Sequence, residues 1–216
     1  MKLFRALCLT LIVGLSLSYS VKAADNRTLK EVDYLKKIDL MYVDLKENLS
    51  SAKKAGDLNI DFLDQVIQYH RGLIILTKNA LEYGERQDLK EPINQIVEEL
   101  KFNLKKISKV QKQISKSPNY DESKEGAYLS SYEGISQQIL MNVKSEGEQP
   151  TALMGDSIDM DFLLRFSKQC EVWPVFMNNL LQQTEDESVK ELVAELIKSG
   201  EQIKQEIEIL IHKIEQ

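Results

Sequence analysis

The sequence predicts an all-α fold, and three observations carry that prediction. From residue 28 onward, apolar residues recur at steps of three and four, the period of a helix with one buried face. Glycine, proline and capping residues cut this pattern into segments of helical length, and no segment alternates apolar with polar as a half-buried strand would. The pattern also repeats at a constant shift of 100 residues. Asp61-Phe62-Leu63 returns as Asp161-Phe162-Leu163, Asn79 and Leu81 as Asn179 and Leu181, and Lys90-Glu91 as Lys190-Glu191. Ile107 and Ile114 return as Ile207 and Ile214, and Leu40-Met41 as Leu140-Met141. We read the repeat as an old duplication.

The first 23 residues stand apart. Lys2 and Arg5 precede an apolar run from Ala6 to about Tyr19, and Val21-Lys22-Ala23 supplies small residues for cleavage. This is the pattern of a signal peptide, and the run is short for a membrane span. Cleavage after Ala23 leaves a periplasmic or secreted chain of 193 residues with no stable membrane span.

Each element then follows in order. Residues 28–53 carry helical apolar spacing; Gly56-Asp57 breaks it, and Asp57 or Asn59 can cap the next helix. That helix runs to about Tyr83 on a stripe including Leu63, Val66, Ile67, Leu73 and Ile74, and Gly84 ends it. Asp88-x-x-Glu91 resembles a capping box for a third helix, placing Pro92 in its first turn. The stripe Leu89, Ile93, Ile96, Leu100, Leu104, Ile107 completes repeat 1, residues 24–115. The polar KSPNYDESK, 116–124, is the linker. Repeat 2, residues 125–216, opens on Tyr128, Tyr132, Ile135 and Ile139, breaks at 147–156, and continues in a helix interrupted by Trp173-Pro174. Ser188-x-x-Glu191 is a capping box for the last helix, on Val189, Val193, Leu196, Ile203, Ile207 and Ile214. The count is about six helices, packed either as two three-helix units or as one shared bundle.

Without Lys2, Arg5 and Lys22, 25 basic residues face 34 acidic ones, a net charge of −9. That balance argues against nucleic acid and against anionic surfaces as partners. Cys170 alone survives cleavage, so no intrachain disulfide forms. The chain lacks the signatures of zinc proteases, phosphate loops, dinucleotide folds and serine hydrolases, and a non-enzymatic binding or interaction role is expected, with a protein or small ligand as partner.

Two side chains suggest a site. His70 falls on the apolar stripe of DFLDQVIQYHRGLI, and Cys170 falls 100 residues later in DFLLRFSKQCEVWP. Imidazole, thiol and thioether together favour copper(I), with Met41 and Met141 on the neighbouring helices as further candidate ligands. Met177 is another thioether candidate beside Cys170. The competing reading makes His70 a core histidine bonded to a tyrosine or carboxylate, and Cys170 a small apolar filler. His212 and Glu208 are spaced for a surface pair.

The order Gly56-Asp57, Asp61-Phe62-Leu63, His70 and the following helix resembles an exported family, domain of unknown function 305 (CopM-like). Its motif reads roughly G-D-x-D-x-D-F, then M-x-x-H-H-x-x-A, then L-A-x-x-I-x-x-x-Q-x-x-E-I-x-x-M. The resemblance covers about 56–115 and 155–215 and implies a ferritin-like helical fold, with copper binding in some members. At the histidine pair this chain has Tyr69-His70 and Gln169-Cys170. At the glutamine it has Leu100 and Gly200, and at the glutamate Asn103 and Ile203. The alternative function implied is therefore periplasmic soft-metal binding or resistance, with copper as the cofactor.

Overall fold

The computed structural model describes residues 27–51, 54–120 and 152–216, with isolated positions between 126 and 137. The signal segment, Met141 and most of the predicted helix after Tyr128 lie outside the described residues. Among those described, the chain forms five helices and no strand. They are α1 (Leu29–Ser51), α2 (Leu58–Tyr83), α3 (Gln87–Ile114), α4 (Ile158–Gln183) and α5 (Glu187–Glu215). The count is five where about six were expected, because the sixth falls on residues outside the description.

Local chemistry fixes the ends. Asp57 caps α2, its carboxylate accepting from the backbone N–H of Asn59 and Ile60. The preceding Gly56 has φ +84°, a left-handed conformation open to glycine, and a Cβ there would lie 2.9 Å from the Tyr120 ring. Two predicted caps are corrected. Helix α3 begins at Gln87, one residue before Asp88, and its N-cap Arg86 gives no side-chain cap. The backbone N–H groups of Glu85 and Arg86 instead donate to Asp159 of α4, at 2.8 and 3.2 Å. In α5 the cap is Asp186, accepting from Ser188 and Val189, so Ser188 is already inside the helix.

Pro92 consequently lies beyond the first turn of α3, where its missing N–H orphans the carbonyl of Asp88. Lys213 of α5 donates to that oxygen at 3.3 Å and reaches the Asp88 carboxylate at 3.0 Å. Pro174 leaves α4 assigned as one continuous helix.

The two halves close one bundle. Helix α2 packs on α3 and α4 packs on α5, while α2 meets α4 and α3 meets α5. Phe62 stacks on Phe176 and Tyr69 reaches Gln169, so partner numbers fall on α4 as they rise on α2. Lys106 pairs with Glu195 and Lys213 with Asp88, giving the same antiparallel sense for α3 and α5. An approximate twofold axis therefore relates the repeats, passing between Tyr69 and Gln169 and between Leu100 and Gly200. Helix α1 lies across α2, burying Tyr34, Leu35, Ile38, Met41, Leu45 and Leu49.

Candidate functional site

The axis runs through a cavity of about 30 Å³, room for one or two water-sized guests. Helix α2 contributes His70 and Leu73, α3 contributes Leu100 and Asn103, and α5 contributes Leu196, Gly200 and Ile203. Helix α4 supplies Phe166, Gln169, Cys170 and Trp173. Eight of these residues are four mated pairs at the repeat spacing: His70 with Cys170, Leu73 with Trp173, Leu100 with Gly200, Asn103 with Ile203.

The mates differ in each pair, and the differences compensate. Trp173 fills the space that Leu73 leaves in the other half, and Gly200 recedes where Leu100 projects. A Cβ on Gly200 would collide with Trp173 Cδ1, so the indole lies directly on the α5 backbone. Its Nε1–H donates to the Leu196 carbonyl at 3.1 Å. Tyr69 stacks on Trp173 with centroids 5.7 Å apart, and its hydroxyl donates to Gln169 Oε1 at 2.6 Å. Asn103 donates to Ser199, which donates in turn to Glu99.

His70 is buried, and its Nδ1 lies 3.1 Å from the Val66 carbonyl. A carbonyl only accepts, so Nδ1 carries the proton and Nε2 keeps its lone pair. Burial pushes the imidazole down to about 4, against a smaller opposing effect of the Val66 bond. Burial likewise pushes the Cys170 thiol up to about 12. At neutral pH the cavity therefore holds an uncharged imidazole and an uncharged thiol.

Of the four candidate ligands, the cavity brings together His70 and Cys170. Met41 lies on α1 against Gly72, outside the cavity lining, and Met141 is outside the described residues. Met177 is buried but does not line the cavity. The partner of His70 is a backbone carbonyl rather than a tyrosine or carboxylate. His212 pairs with Glu215 at 3.4 Å, and Glu208 faces Lys204, so the predicted His212–Glu208 pair is replaced by two others. Among the described residues, no group of three or more His, Cys, Asp or Glu side chains is placed to hold a metal. No described helix is long and apolar enough to cross a membrane.

A second buried polar centre was missed. Arg165 and Asp161, one turn apart on α4, form an ion pair at 2.7 and 3.0 Å with both side chains almost wholly buried. Tyr34 of α1 donates to Asp161 at 2.7 Å, and the Met154 N–H does so at 2.6 Å. The signal was an arginine four residues after an acid on an otherwise apolar stripe. Asp161's mate, Asp61, holds its own loop in the same manner, accepting from Ala55 and Gly56.

Compared with known proteins, the chain matches no protein-family model, and neither curated proteins nor solved structures give a match.

Proposed function

We propose that this is an exported, non-enzymatic binding protein of ferritin-like helix order, holding a small guest in the cavity on its axis. One observation carries the reading. The resemblance assigns polar motif residues to eight positions: 69, 70, 100, 103 and their mates. Seven of them line the cavity, and the eighth, Tyr69, is hydrogen-bonded to Gln169 beside it. Helix directions support the ferritin-like part, since two antiparallel hairpins joined by one long connection are its arrangement. The non-enzymatic part rests on a buried, neutral His70 that the Val66 carbonyl orients, with no carboxylate bonded to it among the described residues.

Trp173 is the chain's single tryptophan and lines the cavity, so its emission reports a guest. Titration with soft and hard cations and with small neutral molecules is expected to change that emission and raise the melting temperature together. No response to any of them would overturn the reading.

A second reading makes the guest copper(I), favoured by a free Nε2 and a thiol lining the same cavity. Competition against a copper(I) chelator then gives sub-micromolar binding lost in His70→Ala and in Cys170→Ser. The thiol must release its proton, so affinity rises about tenfold per pH unit near neutrality, while His70 adds no proton competition there. Unchanged chelator competition in either variant sinks the copper reading and leaves the cavity to another guest.

A further inference from the structure

Charge is distributed unevenly along α3. Residues 100–120 hold six lysines and no acid, in a chain of net charge −6. Lys101, Lys105, Lys109 and Lys112 follow steps of three and four, one line along α3 about 17 Å long, and Lys116 follows in the turn past its end. Lys101 is paired with Glu98, and Lys106, beside the line, with Glu195. Lys105, Lys109, Lys112 and Lys116 have no carboxylate within 4 Å among the described residues. Like charges at these spacings destabilise a helix. Phe102, 53% exposed, stands at the head of the same line.

The second repeat shows that the fold does not need this pattern. The mates of Phe102, Lys105, Lys109, Lys112 and Lys116 are Gln202, Gln205, Ile209, His212 and Gln216. Helix α5 folds and packs as α3 does with one ionisable group among those five. The lysines are therefore a property of one face of one repeat, and whole-chain charge conceals them.

We propose that the outer face of α3 from Phe102 to Lys116 docks on an anionic lipid bilayer. A straight row of cations on a convex helix matches a plane of phosphates. The exposed aromatic ring selects a surface with apolar depth over a soluble polyanion. The negative charge elsewhere on the molecule is screened beyond about 8 Å at physiological salt, so it opposes approach more than contact.

The test is co-sedimentation of the full chain with phosphatidylglycerol vesicles and with phosphatidylcholine vesicles. The N-terminal run, with Lys2, Arg5 and Lys22, also favours phosphatidylglycerol, so the change between parent and variant reads the α3 face. Sedimentation with phosphatidylglycerol should exceed that with phosphatidylcholine and fall away toward about 0.5 M salt. The triple variant K105Q/K109Q/K112H removes three of these charges and takes the second repeat's own residues at 105 and 112. It should weaken the phosphatidylglycerol-specific binding by at least about tenfold, with circular dichroism unchanged. F102Q should weaken it severalfold. Equal binding to both vesicles, or a triple variant that binds as the parent does, overturns the proposal. So does an F102Q variant of full affinity whose binding soluble polyglutamate competes away, because the partner is then a soluble polyanion.

Discussion

Replacing Gly200 by leucine drives a side chain into the Trp173 indole, which lies against the α5 backbone. Overpacking of that kind costs about 1–3 kcal/mol, less about 1 kcal/mol gained by removing a glycine from a helix interior. Replacing Trp173 by leucine empties part of the cavity wall and removes the Nε1 bond to Leu196, at about 2–4 kcal/mol. If the sites acted independently, the double variant would lose the sum. But Trp173→Leu with Gly200→Leu recreates the Leu73 and Leu100 pair of the first repeat, which fills the mated space. The double variant should therefore lie within about 1 kcal/mol of the parent, a coupling of about 2 kcal/mol or more. Urea unfolding followed by circular dichroism closes this double-mutant cycle. Single losses that add to within about 0.5 kcal/mol would refute the claim that Trp173 and Gly200 compensate each other within the second repeat.

The buried histidine makes stability depend on pH. His70 titrates near 4 in the fold and near 6.5 unfolded. The unfolded chain therefore binds more protons between those values, and stability falls as pH drops from 6.5 toward 4, by about 3 kcal/mol. His70→Met should flatten that part of the urea-midpoint profile. Arg165→Met strands the Asp161 carboxylate and should cost about 3–5 kcal/mol. Arg165→Gln, which installs the residue standing at the mated position 65 of the first repeat, should cost less in the same assay. Asp159→Ala releases the turn between α2 and α3, whose Glu85 and Arg86 N–H groups it holds, and should lower stability by about 1–2 kcal/mol. Asp88→Ala, where the predicted box stood, should leave stability essentially unchanged because its ion pairs are exposed to solvent.

Helix class and boundaries were legible because they rest on local rules. The period of α3, the cap at Asp57 and the stop at Gly84 each need only neighbouring residues. The inward position of His70 and Cys170 was legible for the same reason. The carboxylate holding the turn before α3 was not, because Asp159 lies 73 residues from Arg86 and no local pattern announces a group arriving from another helix. The clasp of Tyr34 on Asp161 spans 127 residues and was hidden likewise. The position of Met41 was not legible, because helical spacing tells which face is buried but not against which neighbour. It meets Gly72, away from the cavity.

The placement of divergence within the repeat has a physical reason. From 64 to 78 and from 92 to 106, no residue equals its mate, whereas identities cluster toward the helix ends, as at 61–63, 79, 90 and 91. Those divergent stretches surround the points where the axis passes, Tyr69 with Gln169 and Leu100 with Gly200. In a symmetric dimer, an axial residue meets its own copy, so whatever stands there must be self-complementary. Two tryptophans at 73 and 173 would compete for one space, and two glycines at 100 and 200 would leave a void. Joining the copies in one chain removes that restriction. Tyrosine can then donate to glutamine, indole can seat on glycine, and asparagine can bond the serine of the other half. Residues distant from the axis meet no copy of themselves and gain nothing from differing. An imidazole and a thiol lining one cavity at mated positions belong to the same class of asymmetric pair, one that a single fused chain can hold.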